Sequence, residues 1–324
     1  MFTAVIPVYN QADLLGRLLV SLRAQTVPFT EIVVVDDASI DGAPLLARAN
    51  GCRVIEMGEN AGFARSVNRG WRAAATEWVA ILNSDVELDS RWLEHIAAAV
   101  EGESFGTGMS FATGTIMDAA DRSALDGTYD LVSRAACAWR AGHGETVPSP
   151  TGEPARIAIA PGTACVFRRS VLEHLDGFEE SFDSYLEDVD LGLRCISEGF
   201  TGVYVPQAIA WHRGSASFGR WNPRVVRLTS RNQVRLIARH YDRELFRSFL
   251  WPIVAGQALW GLVALRHGTG LAWLAGKIDG IRGFRLEGHP SRALREFLNA
   301  SEREIRRRAT GPYWRWYFRL TAAD

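Results

Sequence analysis

The sequence predicts an α/β fold: a doubly wound, mainly parallel sheet flanked by helices, with a helical, basic and apolar extension at its C-terminal end. Two patterns lead to this prediction. In the first hundred residues, short apolar runs alternate with segments whose apolar residues recur at helical spacing, and several of the runs end in polar or acidic residues. Strand, helix and strand at this spacing imply right-handed parallel crossovers. We place the sheet domain at residues 1–215 and the extension at residues 216–324.

The predicted elements follow in order. The strands are runs of β-branched and other apolar residues at 2–8, 31–37, 52–57 and 78–82, and helices follow around 14–22, 45–49 and 62–75, with another near residue 90. Between residues 101 and 161 the periodicity fades and Gly, Thr, Ser, Asp and Pro accumulate, which predicts irregular strands and loops. Residues 170–175 and the segment from Glu187 onward again show helical patterns.

Composition excludes several classes of protein. A chain of 324 residues with 47% hydrophobic content can bury a large core, so general disorder is excluded. Its four cysteines are scattered without a Cys-x-x-Cys pair, which indicates neither a zinc site nor a disulfide framework and favours a reducing compartment. The N-terminus lacks the basic region and long apolar core of a signal peptide, so we expect the protein in the cytoplasm.

Asp85 lies three residues after the apolar run 79–82, at the carboxyl edge of the predicted sheet, where α/β proteins bind ligands. A carboxylate there is a hard oxygen ligand for Mg²⁺ or Mn²⁺, and such a metal in turn holds a diphosphate. The alternative is that Asp85 only caps the helix near Ser90.

Two further strands end at the same edge. Tyr9 and Asn10 follow the first, and Asp36 and Asp37 end the second. An aspartate there can accept from a nucleobase N–H or a ribose hydroxyl, and Tyr9 can stack on the base. The alternative is that these acids only satisfy a turn and cap a helix.

Two helix starts carry further candidates. Asn60 and Gly62 lead into a helix whose first amides suit a phosphate, with Arg65 nearby. Glu187 and Asp188 open an amphipathic helix, where acids are also ordinary choices that complement the helix dipole.

Taken in order, these short motifs resemble those of the glycosyltransferase family 2 enzymes of the GT-A fold, especially the bacterial branch that includes rhamnosyltransferases of surface polysaccharides. The resemblance covers about residues 1–215. The matching words are Val5-Ile6-Pro7-Val8-Tyr9-Asn10, Val35-Asp36-Asp37-Ala38-Ser39, Asn60-Ala61-Gly62-Phe63-Ala64, Leu82-Asn83-Ser84-Asp85, Leu186-Glu187-Asp188-Val189-Asp190 and Trp211-His212.

The resemblance implies a role for each motif. Asp188 would be the catalytic base with Glu187 beside it, and Asp85 would hold a divalent ion, Mg²⁺ or Mn²⁺, on the diphosphate. His212 would approach the metal, although a packed histidine at a strand end is the alternative. Asn83 replaces the first acid of the family's Asp-x-Asp motif, so the metal has one less charged ligand. The implied substrate-binding residues are Pro7, Tyr9, Asn10, Asp36, Asp37, Asn60, Gly62, Arg65, Asn83, Ser84, Gly162 and Trp211.

The implied reaction is an inverting transfer of a sugar from a nucleoside-diphosphate sugar to a hydroxyl of a saccharide or lipid-linked saccharide, in surface polysaccharide or glycan synthesis. One base and one displacement invert the anomeric carbon. Two alternatives stay open: a non-catalytic nucleotide-sugar or glycan-binding relative, and a sugar nucleotidyltransferase. The latter needs a cation at a triphosphate, and the only lysine is Lys277, far from the sheet strands.

The extension is basic, because 21 of the 36 Lys and Arg residues but 8 of the 37 acids lie from Arg213 onward. Arginines spaced by three or four from Arg224 to Arg239 predict a basic helical stripe. The uncharged, Trp-bearing segment 248–265 is short for a membrane span, so we expect it in the interface of an anionic membrane, with a buried core helix or a true span as alternatives. No nucleic-acid-binding module accompanies the charge. We therefore expect a peripheral protein on the inner face of the cell membrane.

Overall fold

The computed structural model describes residues 1–102, 108–147, 152–214 and 221–321. They form two compact units. The sheet unit comprises Met1–Tyr129, Gly142–Cys195 and Phe200–Gly214, and the helical unit comprises Asp130–Ala141, Ile196–Gly199 and Ser215–Asp324. The predicted domain boundary at 215/216 lies outside the described residues.

The strands and helices have the following bounds. The strands are Phe2–Val8 (β1), Glu31–Asp36 (β2), Arg53–Glu56 (β3), Trp78–Leu82 (β4), Val86–Leu88 (β5), Met109–Asp118 (β6), Leu125–Gly127 (β7), Asp130–Val132 (β8), Ala138–Arg140 (β9), Ala155–Ile157 (β10), Ala164–Arg168 (β11) and Thr201–His212 (β12). The helices are Ala12–Arg23 (α1), Ala43–Ala49 (α2), Phe63–Ala73 (α3), Trp92–Glu101 (α4), Arg169–His174 (α5), Glu187–Ser197 (α6), Pro223–His240 (α7), Arg243–Ser248 (α8), Leu250–Arg266 (α9), Gly270–Ile281 (α10), Arg292–Arg308 (α11) and Pro312–Thr321 (α12).

The sheet unit contains a mixed, mainly parallel sheet with strand order β10-β12-β6-β11-β4-β1-β2-β3. Strands β3, β2, β1 and β4 are parallel, β11 runs antiparallel to both β4 and β6, and β12 is parallel to β6. Alternate side chains of β1 enter opposite cores: Ile6 packs in the core that includes α1 and α4, and Val5 packs in the one that includes α3. Helices therefore cover both faces, as the doubly wound prediction requires.

Strand β6 departs from the expectation of irregular structure between residues 101 and 161. It is a ten-residue strand in the middle of the sheet. Both of its faces are buried, so no alternation of apolar and polar residues marks it. Thr113 donates its hydroxyl to the Ala164 carbonyl, 2.9 Å away, which satisfies a polar side chain in this position.

The helical unit consists of α7 to α12 with the hairpin of β8 and β9. Helix α9 packs against α10 and α12, and α10 packs against α7. In the described parts of the chain, no helix is long and apolar enough to cross a membrane. Of the predicted arginine stripe on α7, Arg224 is exposed and Arg227 pairs with Asp279, whereas Arg231 is half-buried.

Candidate functional site

The carboxyl ends of β1 and β2 are tied together by side-chain hydrogen bonds. The buried Asp36 carboxylate accepts from the Ser39 amide at 3.2 Å, and the Ser39 hydroxyl accepts from the Asn10 amide at 2.9 Å. Asn10 in turn accepts from the Ile40 amide through its side-chain oxygen at 2.8 Å. These bonds fix both loops and leave the Tyr9 ring exposed beside them, so that it is available to stack on a ligand.

Asp37 connects β2 to the loop that begins α3. Its Oδ1 accepts from the Ala61 amide at 2.7 Å and its Oδ2 accepts from the Gly62 amide at 3.1 Å. Burial raises the pKa of Asp37 above its ordinary value, against these two hydrogen bonds, which lower it. Asp37 therefore shapes the loop, in which Asn60 is exposed. Each carboxylate oxygen retains acceptor capacity.

The start of α3 lies directly against the loop before α6. A Cβ on Gly62 would lie 2.1 Å from Asp183 Oδ1, and the Ala64 amide donates to the Asp183 carbonyl at 3.0 Å. Three residues of this loop have left-handed backbone, with φ of 64° at Asp183, 71° at Tyr185 and 68° at Leu186. Non-glycine residues seldom adopt this region, and such strain concentrates at functional sites.

Asp188 is the second residue of α6. Its Oδ2 accepts from the Gly162 amide at 2.9 Å, and its Oδ1 accepts from the Val189 amide at 2.8 Å. The neighbouring Glu187 is buried. Two backbone donors thus hold the Asp188 carboxylate at the N-terminus of α6.

The segment Gly162–Thr163, which binds Asp188, also binds the predicted metal motif. Thr163, next to Gly162, accepts from the Asn83 amide through its carbonyl at 2.9 Å. The Asn83 side-chain oxygen is buried without a hydrogen-bond partner among the described residues. Ser84 donates its hydroxyl to the side-chain oxygen of Gln11, which links this loop to the end of β1. The motif around Asp188 and the motif around Asp85 are thus connected through hydrogen bonds to two consecutive residues, Gly162 and Thr163.

His212, at the end of β12, lies between two carboxylates. Its Nε2 is 3.3 Å from Asp85 Oδ1 and its Nδ1 is 2.9 Å from Asp126 Oδ2. Burial by itself lowers the pKa of His212, but the hydrogen bonds and charges of Asp126 and Asp85 outweigh it and raise the pKa to about 9. In this state the imidazolium bridges the two acids.

The donor set suits a small divalent cation. The Asp85 carboxylate and the His212 imidazole are adjacent, and the unpartnered Asn83 oxygen belongs to the same loop as Asp85. Within the described ranges, no group of three or more His, Cys, Asp or Glu side chains is arranged to hold a metal. Mg²⁺ commonly takes one or two protein ligands and completes its shell with phosphates and water, so these residues fit such an ion.

Other predicted residues occupy their own environments. Arg65 forms an ion pair with Glu180 at 3.3 Å, the guanidinium of Arg122 lies 4.7 Å from the ring centre of Trp211, and Pro7 is buried in β1. The helix-capping role considered for Asp85 falls to Asp89. Its side chain accepts from the Arg91 amide, 3.0 Å away, at the start of α4.

Three residues of the site were not predicted: Gln11, Asp126 and Asp183. Asp126 lies in a segment rich in turn-forming residues, and it meets His212 across 86 positions of sequence. No local pattern marks such a contact. Gln11 directly follows one predicted motif and Asp183 lies three residues before another, and that proximity is their only signal in the sequence.

Comparison with protein families adds independent information. The model described as glycosyl transferase family 2 matches residues 3–176. The pre-mycofactocin glycosyltransferase of Mycobacterium tuberculosis is 29% identical over 293 residues, which is 84% of this chain and 54% of that protein. The chain thus spans about half the length of this relative. The N-acetylglucosaminyl-diphospho-decaprenol L-rhamnosyltransferase of the same organism is 28% identical over 67% of this chain and 79% of its own length.

Solved structures resemble the fold. The mannosyltransferase PcManGT from Pyrobaculum calidifontis, in complex with GDP-Man and Mn²⁺, superimposes with a TM-score of 0.53 and 19% sequence identity, over 98% of this chain and 82% of that one. At this identity the likeness concerns the fold, and the predicted GT-A fold is confirmed.

Proposed function

Because the chain belongs to glycosyl transferase family 2, we propose that it transfers a sugar from a nucleoside-diphosphate sugar to a hydroxyl of a saccharide acceptor, in surface polysaccharide or glycan synthesis. The observation that carries this proposal is the junction at Gly162 and Thr163. Gly162 donates to Asp188, the candidate base, and Thr163 accepts from Asn83 of the candidate metal motif. A base and a diphosphate site must be neighbours for acceptor and donor to meet.

In this proposal the nucleoside lies at the ends of β1 and β2. Tyr9 stacks on the base, and the carboxylates of Asp36 and Asp37 accept from base or ribose groups. The amides of Ala61, Gly62 and Ala64 at the start of α3 donate to Asp37 and Asp183, so we assign the phosphates there to the Arg65 side chain. Arg65 neutralises phosphate charge only where its ion pair with Glu180 opens.

We propose that Asp85 and His212 hold Mg²⁺ or Mn²⁺, with the Asn83 oxygen beside them. When bound, the ion stabilises the negative charge of the departing diphosphate. His212 must be neutral to act as a ligand. In that neutral ring Nδ1–H donates a hydrogen bond to Asp126, and the lone pair of Nε2 is then available to the metal. Because an amide replaces one acid at Asn83, the chain supplies one negative charge less than an Asp-x-Asp site.

Asp188 is the proposed base. It accepts the proton of the acceptor hydroxyl while that oxygen attacks the anomeric carbon and the bond to the diphosphate breaks. Both carboxylate oxygens accept from backbone donors, so the side chain keeps one orientation. A single displacement inverts the configuration of the sugar.

We further propose a lipid-linked saccharide as acceptor and an anionic membrane surface as partner. The support is the likeness to the rhamnosyltransferase whose name includes a diphospho-decaprenol, together with the basic, apolar character of the helical unit. A protein that works on such an acceptor remains on the inner face of the cell membrane.

The test is hydrolysis and transfer with a panel of UDP-, GDP- and dTDP-sugars and Mn²⁺, comparing the wild type with Asp188→Asn. We expect the variant to bind donor like the wild type and to turn over about 10²-fold more slowly, because only the proton acceptor is lost. The matched control is Asp176→Asn, the same change at an exposed carboxylate that pairs with Arg72.

Near-wild-type turnover by Asp188→Asn would contradict the assignment of the base. Donor binding without any turnover by the wild type would favour a non-catalytic relative. Formation of nucleoside triphosphate and sugar 1-phosphate when pyrophosphate is added to the donor would instead indicate a nucleotidyltransferase.

A further inference from the structure

The hairpin of α9 and α10 in the helical unit turns its large apolar side chains outward. Leu271 is 86% exposed, Leu265 is 63% exposed and Trp251 is 58% exposed. Helical spacing puts them on one face of each helix. We define the hairpin face as Trp251, Val254, Leu262 and Leu265 of α9 with Leu271, Leu274, Ile278 and Ile281 of α10.

The inner sides of the same helices are built from small residues. A Cβ on Gly256 would lie 2.4 Å from the Ala135 side chain, one on Gly276 would lie 2.3 Å from the Arg227 carbonyl, and one on Gly280 would lie 2.7 Å from the Val234 side chain. The helices therefore bury glycine and expose leucine, the reverse of the usual order in a helix that packs on a water-soluble core.

The two helices share one apolar surface at the tip of the hairpin. A concavity of about 320 Å³ is lined by side chains from the end of α9 and the start of α10, namely Leu265, Gly268, Gly270, Leu271, Trp273 and Leu274. All of its lining residues are apolar or glycine. The exposed leucines thus form a continuous patch, and contiguous patches of this kind mark sites of interaction.

The charges at the ends of the hairpin face are mainly basic. No carboxylate occurs between Glu244 and Asp279, and Asp279 is engaged by Arg227 at 2.6 Å. Arg247 in α8, Arg266 at the end of α9 and Arg282 directly after α10 are exposed. A partner for this face must be apolar at its centre and anionic at its edge.

We propose that the hairpin face inserts into the interface of an anionic lipid bilayer and that the flanking arginines contact lipid phosphates. A bilayer offers acyl chains beneath a negative surface, which matches both features. A second copy of the chain fits less well, because pairing two such faces would bring the same positive rims together. This inference deepens the proposed function and rests on it for the choice of a membrane as partner.

The test is co-sedimentation of the full chain with vesicles of phosphatidylcholine alone and of phosphatidylcholine mixed with phosphatidylglycerol, across a salt series. The test variant is Leu265→Glu/Leu271→Glu, and the matched control is Val20→Glu/Leu45→Glu, the same change at exposed positions of α1 and α2. All four side chains are exposed, so neither variant removes core packing.

We expect the wild type and the control to pellet with the anionic vesicles, and salt to weaken but not abolish pelleting, since screening acts on the charges and spares the buried side chains. We expect Leu265→Glu/Leu271→Glu to bind at least about tenfold more weakly. Equal pelleting of both variants, or no pelleting of the wild type, would overturn the proposal. A wild-type dimer that the test variant dissociates, without vesicle binding, would assign the face to self-association.

Hydrolysis of the nucleotide-sugar panel is measured on the same preparations. If hydrolysis persists in Leu265→Glu/Leu271→Glu while vesicle binding is lost, the hairpin proposal stands. If the wild type hydrolyses donor but never pellets, the membrane proposal fails and the proposed sugar transfer is unaffected.

Discussion

Asp126 offers the sharpest test of the proposed metal site, because we expect it to influence the metal through the His212 ring. Its Oδ2 lies 2.9 Å from His212 Nδ1, and both side chains are largely buried; its other oxygen lies 3.7 Å from His143 Nδ1. Carboxylates that orient a ligating histidine in this way typically contribute 10- to 100-fold to metal affinity, or about 1.4–2.7 kcal/mol. Asp126→Asn keeps an oxygen that accepts from Nδ1–H but loses the charge, so we expect a loss of about tenfold. Asp126→Ala loses both, so we expect about 100-fold.

The assay is a Mn²⁺ titration in which the free ion is followed by electron paramagnetic resonance. Asp121→Asn is the matched control, since Asp121 lies between β6 and β7 and its side chain accepts only from Ser123 in the described contacts. An equal loss in Asp121→Asn would mean that general charge, not orientation, sets the affinity. Unchanged Mn²⁺ binding in both Asp126 variants, alongside loss in His212→Ala, would refute the positioning role.

Three further predictions concern other parts of the chain. In calorimetry, Asp85→Ala should abolish the Mn²⁺-dependent part of nucleoside-diphosphate binding and Asp37→Ala should weaken binding even with EDTA; loss of the same metal-dependent increment in both would contradict these roles. Burial lowers the pKa of Lys277 from 10.5 to about 7, so the unfolded chain binds more protons between those values. In that pH range the free energy of unfolding of the wild type should therefore rise with pH relative to that of Lys277→Met, by at most about 1.4 kcal/mol per pH unit. If urea denaturation shows the same pH dependence for both proteins, the pKa of Lys277 is not lowered in this way. Gly62→Ala should destabilise by about 1–3 kcal/mol and by more than Gly58→Ala, which has similarly positive φ but open space; equal effects in urea titrations would mean that the close approach at Gly62 is relaxed.

The first hundred residues could be predicted closely because their signals are local. The strand predicted at 2–8 is β1, and the strand at 78–82 is β4, with identical bounds. Apolar runs and helical spacing decide such elements without reference to the rest of the chain. Strand β6 could not be predicted, because its place is made by distant residues. A Cβ on Gly114 would lie 1.8 Å from the Ala208 carbonyl of β12, so the close approach of that strand requires glycine here. Because glycine by itself weakens a strand, the local sequence gives no indication of β6 at this position.

The candidate site divides in the same way. Asp85 and Asp37 could be proposed because they lie at the carboxyl ends of predicted strands, and Asp188 because its motif resembles that of the family. In the structure their loops are connected by hydrogen bonds to the backbone. The partners that fix them come from elsewhere in the chain. Asp126 and His212 are 86 residues apart, and that pairing depends on how β7 and β12 flank β6, which no periodicity encodes.

The loop from Asp183 to Leu186 shows why the placement of the candidate base in space could not be predicted from the sequence. Three left-handed non-glycine residues in four positions cost free energy that only surrounding contacts can offset. Those contacts are visible: the Ala64 amide binds the Asp183 carbonyl, and only glycine at position 62 leaves room for the Asp183 carboxylate. Since Asp37 holds the Gly62 amide, the proposed nucleoside site and the proposed base share one strained connection. A change at Gly62 should therefore disturb turnover as well as donor binding, whereas a defect confined to donor binding would mean that the loop holds Asp188 independently.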